Sequence, residues 1–156
     1  EGNQITGDTI HLISNAKTEQ LDSLKVLSNA FMIQKDSTGY NQLKGKNMYG
    51  KFKNNKLNSL NDIGNSEVIF YLRDEYQKLM GISKMKSSDN IFITLESNTI
   101  NSIDFNKKPD GKTYPPSEFE KLNPKDRTFK GFIWREDERP LTKEAIFIHD
   151  KQRIEK

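Results

Sequence analysis

The side chains best suited to metal or thiol chemistry are few in this sequence. His11 and His149 are the only two histidines, and there is no cysteine. Two histidines without thiolates do not make a typical zinc site. No run of alternating acids resembles a calcium loop either. We therefore expect neither a metal nor a cofactor.

The paired carboxylates are the remaining candidates for catalysis. Asp74-Glu75 and Glu136-Asp137-Glu138 lie beside basic residues in turn-like segments, and such a position favours solvated charge over a glycosidase-like acid pair. The serines lack a nucleophile elbow, and the glycines form no phosphate loop. These patterns predict a protein that is not an enzyme. A carbohydrate-active β-sandwich is the enzymatic alternative, and it requires two carboxylates that converge in a cleft.

The composition indicates one thin, β-rich domain over residues 1–156. Only 33% of the residues are hydrophobic and 30% are charged, which suits a two-layer or open sheet better than a thick core. The net charge of +3 is dispersed along the chain, so no concentrated basic face predicts nucleic-acid binding. No apolar run approaches the roughly 20 residues of a membrane span.

The start of the chain carries no initiator methionine and no signal peptide. We therefore expect a mature or excised piece of a longer protein.

Alternation with a period of two residues dominates the sequence and predicts half-buried strands. It is clearest in Ser66–Asp74 and Asn90–Glu96. Short polar joints separate such runs, as at Asn54-Asn55 and Ser97-Asn98, where asparagine tolerates left-handed backbone angles. With so few residues between strands, the pairing must be antiparallel.

The strands also repeat as a unit. The segments Leu21-Asp22-Ser23-Leu24 and Leu57-Asn58-Ser59-Leu60 correspond, and Gly7 to Asp36 spans the same 29 steps as Gly45 to Asp74 (36 − 7 = 74 − 45). A weaker third copy passes through Ile100-Asn101-Ser102-Ile103. One unit cannot bury its own apolar face, so neighbouring units must stack. We predict an all-β fold, an open, twisted antiparallel jellyroll of repeated strand-turn-strand units.

The last third of the chain, residues 115–156, changes character and reads as an extension to the repeated units of residues 1–114. Ser117-Glu118-Phe119-Glu120 predicts a helical turn, and Phe129–Trp134 predicts a last strand. Thr142 is placed to cap a short terminal helix.

An apolar stripe is the remaining functional feature, and ordinary core is its simplest interpretation. The alternative is a groove that binds acyl chains, each buried methylene contributing about 0.8 kcal/mol. The residues predicted to line it are Met48, Phe52, Val68, Phe70, Leu72, Ile91, Ile93, Leu95, Ile103 and Phe105. Four lysines are candidates for phosphate contacts at its rim, namely Lys44, Lys46, Lys84 and Lys86. Edge protection explains strand lysines equally well.

Several segments in a fixed order resemble the OstA-like, LptA-related proteins of the Bacteroidetes type. Besides the repeat, the segments that carry the resemblance are Ile69–Asp74, Gly81-Ile82-Ser83-Lys84, Ser87-Ser88, Lys108-Pro109-Asp110-Gly111 with Tyr114-Pro115, Gly131-Phe132-Ile133-Trp134-Arg135, and Glu138-Arg139-Pro140-Leu141. They cover nearly the whole chain. The proline-rich stretch and the segment 129–140 depart from the simplest repeat of that family.

The resemblance implies a periplasmic component of lipopolysaccharide export that is peripheral to membranes. Its relatives are expected to shelter the acyl chains of lipid A inside an open jellyroll and to carry no catalytic residues. The implied partners are lipopolysaccharide and other lipopolysaccharide-transport proteins, or a second copy joined through edge strands. A structural or protein-interaction module that uses its sheet edges is the alternative function.

Overall fold

Ten antiparallel strands form one continuous sheet in the computed structural model, which describes residues 2–139. The sheet curls into a half-barrel, so the predicted all-β fold is confirmed. The elements are β1 (Asn3–Thr6), β2 (Thr9–Ser14), β3 (Leu21–Lys35), β4 (Tyr40–Lys53), β5 (Lys56–Ile63), β6 (Ser66–Arg73), β7 (Leu79–Ser87), β8 (Ile91–Glu96), β9 (Thr99–Phe105), β10 (Asp110–Tyr114), the helical turn α1 (Pro116–Phe119) and a 3-10 turn (Pro124–Asp126).

The sheet divides into two halves that share the long strands β3 and β4. We call half-sheet A the order β2-β3-β4-β5-β8-β9 and half-sheet B the order β1-β3-β4-β6-β7-β10. β4 pairs with β6 through residues 42–44 and with β5 through residues 47–53. The two half-sheets therefore diverge from a fork near Gly45, and their inner faces meet across one interior.

The bends at the fork come from residues that adopt positive φ. In β3, Ser28 and Asn29 have φ of 61° and 53° where the register with β4 shifts. Between β5 and β6, Gly64 and Asn65 have φ of 86° and 49°. Small and amide side chains tolerate this left-handed region best. These bends let β3 continue from half-sheet A into half-sheet B, and they direct the chain from β5 in half-sheet A to β6 in half-sheet B.

The predicted hairpin joints are confirmed. Asn54-Asn55 connects β4 to β5, and Ser97-Asn98 connects β8 to β9, with φ between 50° and 66° at all four residues. Two successive residues in this region match the right-handed twist of the flanking strands. The short joints fix the antiparallel register across the second half of the sheet.

The C-terminal part of the described chain packs on the outer face of half-sheet B. The predicted helical turn is confirmed as α1. The predicted strand Phe129–Trp134 is wrong, because that stretch is irregular. Its backbone bonds to side-chain amides of the sheet instead of to a strand: the Phe129 N–H donates to Gln42 Oε1 at 2.9 Å, and the Arg135 N–H donates to Gln4 Oε1 at 3.0 Å. The helix predicted from Thr142 lies outside the described residues.

Candidate functional site

The residues predicted to bind lipid converge on the interior between the half-sheets. Nine of the ten belong to one apolar cluster. They come from β4, β6, β8 and β9, and therefore from both half-sheets. The buried members are Met48, Val68, Ile91, Ile93 and Leu95, and the half-buried members are Phe52, Phe70, Ile103 and Phe105. The tenth, Leu72, is half-buried farther along β6 and is not part of that cluster.

This interior is closely packed. The space that remains between Met32, Leu43, Val68 and Ile93 has a volume of about 10 Å³, barely enough for one water molecule. An acyl chain therefore finds no preformed slot between these four residues. It must separate side chains that now touch one another.

The two edges that bound the interior differ in how they are held. At one end, the joint between β8 and β9 reaches across to half-sheet B, where the Asn98 carbonyl accepts hydrogen bonds from Asn3 (3.2 Å) and Gln34 (2.7 Å). On the far side, β9 pairs only with β8, and β10 pairs only with β7, among the described residues. β9 and β10 are therefore the far edge strands of the two half-sheets, and we call the line between them the seam.

One acidic residue lies within the apolar interior. A row of side chains in register crosses the inner face of half-sheet A, and all but Asp62 are apolar. The row is Ile10, Val26, Met48, Asp62, Ile91 and Phe105. Asp62 is completely buried, and neither carboxylate oxygen makes a well-formed hydrogen bond.

Ser66 is the second unpaired polar side chain at this place. It begins β6, on the other side of the turn at the fork, and its hydroxyl is fully buried without a hydrogen-bond partner. Burial raises the pKa of Asp62 to about 7, and the nearby Ser66 hydroxyl and the Ile63 N–H offset that rise only in part. Both protonation states of Asp62 are therefore accessible at neutral pH.

Space for the Asp62 carboxyl comes from Gly45. A Cβ built on Gly45 would overlap Asp62 Oδ1. The Asp62 carboxyl therefore fits against the backbone of β4 only because Gly45 has no side chain. Sequence reasoning missed both Asp62 and Ser66, although the repeat carries a signal: they align with the apolar residues Val26 and Ala30.

The four predicted phosphate-contacting lysines do not form one group at the rim. Lys44 and Lys84 lie on the outer face of half-sheet B, where their ammonium groups donate to the Lys130 and Asp126 carbonyls at 2.7 Å each. Lys86 lies on the same outer face, 3.9 Å from Asp110, while Lys46 is exposed at the fork. The first two lysines fasten the C-terminal segment to the sheet.

That segment covers a second apolar cluster, on the outer face of half-sheet B. Phe31, Ile33, Ile69 and Ile82 of the sheet pack against Phe119 and Phe129. The Tyr40 ring packs edge-on against the Phe132 ring and at a tilt against the Trp134 ring, with ring centroids 5.1 Å and 5.3 Å apart. Half-sheet B therefore packs against apolar residues on both faces, which accounts for the uninterrupted run Val68–Leu72 in β6.

The carboxylates considered for catalysis bond to backbone N–H groups or to a lysine. Within residues 2–139, no three histidine, aspartate or glutamate side chains are close enough to hold a metal ion. Asp74 accepts from the Tyr76 and Lys78 N–H groups at 2.9 Å each, and Glu136 pairs with Lys35 at 3.3 Å. His11 is exposed on β2. Among the same residues, no helix has the length and hydrophobicity to span a membrane.

Comparisons of this chain with known protein families, curated proteins and solved structures found no match.

Proposed function

We propose that this domain is a non-catalytic, periplasmic lipopolysaccharide-binding module that shelters the acyl chains of lipid A between its two half-sheets. The observation that supports it best is the convergence of nine predicted residues on one interior whose far edges, β9 and β10, are not paired with each other. The segments that resemble the OstA-like proteins support the same function.

The packing of the interior determines the free energy with which an acyl chain enters it. Since the space between Met32, Leu43, Val68 and Ile93 measures only about 10 Å³, a chain enters by parting the seam. Half-buried apolar side chains near the two edges are Ile103 and Phe105 on β9 itself and Met85 on β7, the neighbour of β10. A chain of about a dozen carbons contributes on the order of 10 kcal/mol through burial, and part of this offsets the lost contacts and the ordering of the chain.

The test is binding of a fluorescent lipid A analogue by the 156-residue chain. Phe70→Asp places a charge on the half-buried inner face and is expected to abolish binding, and Leu95→Asp repeats this on half-sheet A. Phe92→Asp is the matched control, because Phe92 is 43% exposed and lies on the outer face of β8. Circular dichroism verifies that each variant keeps its sheet. Normal binding by folded Phe70→Asp contradicts the proposal.

A second function, association through a sheet edge, is favoured by β2. All six of its residues are exposed, none is a lysine, arginine, aspartate or glutamate, and within residues 2–139 it pairs only with β3. Natural edge strands are usually protected by charge or proline, so β2 is suited to pair with another strand. Ile10 and Leu12, 47% and 56% exposed, would supply the apolar contact.

Sedimentation measurements distinguish this second function. Self-association or partner binding that Ile10→Lys with Leu12→Lys abolishes, and that lipid does not affect, supports it. A monomer at all concentrations that also fails to bind candidate transport proteins contradicts it.

A further inference from the structure

The fork contains a polar pair that the fold does not require. In the first copy of the repeat the corresponding positions hold Val26 and Ala30, each 36 residues before its counterpart (62 − 26 and 66 − 30). Val26 and Ala30 are also completely buried. The fold therefore accepts a valine and an alanine at these two repeat positions, whereas the second copy has Asp62 and Ser66 there.

Burial of this pair without partners is unfavourable. A buried polar group that lacks a hydrogen bond loses its hydration without compensation. Asp62 and Ser66 together leave three oxygen atoms in this condition. Native proteins contain few such groups, and each calls for an explanation. A ligand that supplies the missing hydrogen bonds would provide one.

The position of the pair indicates which part of a ligand it meets. Asp62 lies on the inner face between Met48 and Ile91, at the fork where the half-sheets diverge. β9, the half-sheet A edge of the seam, is two strand spacings away, roughly 10 Å. The surface between is the apolar cluster, which includes Val68, Ile91 and Phe105. A chain that enters at the seam therefore crosses apolar surface and reaches a polar end.

We propose that Asp62 and Ser66 form the polar end of the lipid-binding interior and select an acyl chain that carries a hydroxyl group. This inference rests on the proposed lipid-binding function. A hydroxyl donates to the Asp62 carboxylate and accepts from the Ser66 hydroxyl, so one ligand group satisfies both side chains. An unsubstituted chain at the same depth leaves Asp62 and Ser66 only the imperfect contact between their own side chains. Sites built to hydrogen-bond a ligand hydroxyl discriminate strongly against the analogue that lacks it.

The test compares decanoate with 10-hydroxydecanoate, whose hydroxyl lies at the end of the chain remote from the carboxylate, as competitors of a fluorescent acyl probe on the 156-residue chain. The expected result is about tenfold tighter binding of the hydroxylated chain. Ser66→Ala and the isosteric Asp62→Leu are expected to reduce this ratio to about one, while Asp62→Asn, which keeps hydrogen-bonding groups, retains a preference. Ser23→Ala is the matched control, since Ser23 is also buried but lies on the outer face of half-sheet A.

The outcomes of this experiment distinguish hydroxyl selection from lipid binding itself. Equal binding of both chains by the unmodified protein overturns the hydroxyl selection and leaves lipid binding intact. A preference that survives Ser66→Ala and folded Asp62→Leu also overturns it. Failure of both chains to bind contradicts the proposed function, and the inference falls with it.

Discussion

The two copies of the repeat build the same bend with opposite chemistry. In the first copy, a Cβ on Gly7 would overlap Val26, and in the second, a Cβ on Gly45 would overlap Asp62. The glycine and the packed side chain therefore have the same steric relationship twice. Val26 lies in an apolar interior that suits it, whereas Asp62 lies in the same interior without a hydrogen-bond partner.

The difference between Val26 and Asp62 shows which property of this position the bend requires. Close approach at the bend requires glycine and a side chain that fills the space beside it. It does not require polarity, because Val26 fills that space as well. The carboxyl of Asp62 thus lowers the stability of the fold, and its presence favours a role in binding.

The largest effect is expected from pH. In the unfolded chain Asp62 has the ordinary pKa of 3.8, and in the folded protein burial raises its pKa to about 7. Below pH 3.8 both states are protonated, whereas above it the unfolded chain releases its proton first. The free energy of unfolding therefore falls as pH rises toward 7 and levels off above it, by on the order of 4 kcal/mol.

Urea unfolding at a series of pH values measures this effect against Asp62→Asn, which cannot ionise. The difference in unfolding free energy between the two proteins should change over the window from about pH 4 to pH 8. Val26→Asp should introduce the same pH dependence into the first copy, since its environment is equally buried. Parallel curves for the unmodified protein and Asp62→Asn would show that the carboxyl of Asp62 is not desolvated.

The next largest effect is expected from the glycines. Gly45→Ala forces the Asp62 side chain to move and should reduce the free energy of unfolding by about 3 kcal/mol. In an Asp62→Ala background the same substitution should have a much smaller effect. Gly7→Ala should show the same relationship with Val26→Ala. Thermal and urea unfolding of the four proteins in each cycle give the coupling energy, and additive effects would contradict the steric equivalence of the two bends.

The strands and their turns were predictable because they depend on local patterns. Alternation assigns each residue to a face, so nine residues chosen from the sequence meet in one interior. Asn54-Asn55 and Ser97-Asn98 have the left-handed angles that their composition predicts. The side of the sheet that forms the interior was not predictable, because half-sheet B is covered on both faces.

The features that sequence reasoning missed depend on contacts between distant residues. Phe129–Trp134 has the composition of a strand, but Gln42 and Gln4 side chains bond the backbone around it. Lys44 and Lys84 were predicted to face a phosphate, and they bond backbone carbonyls 86 and 42 residues away. Asp62 was overlooked because a single acidic residue in an alternating run is usually solvated. Only its alignment with Val26 distinguishes it.

The smallest effect that separates the two copies is expected at their turns. Asp36 and Asp74 occupy the same position in the repeat, and both accept a hydrogen bond from the N–H two residues later. Asp36 also receives two hydrogen bonds from Arg73, at 2.6 and 2.9 Å, with both side chains mostly buried. The copies thus share the turn and differ in the ion pair.

Asp36→Asn should therefore reduce the free energy of unfolding by about 2 kcal/mol at neutral pH, because it leaves the Arg73 guanidinium without its charged partner. Asp74→Asn should cost less than about 1 kcal/mol, since an amide oxygen still caps the turn. Burial alone would raise the pKa of Asp36, but the hydrogen bonds from Arg73 and Thr38 outweigh it and hold that pKa below 3.8. The contribution of Asp36 is thus present above pH 3.8 and is lost as pH falls through the lowered value. Urea unfolding at pH 7 and pH 3 checks both points, and equal losses for the two substitutions at pH 7 would show that the ion pair adds nothing to the turn.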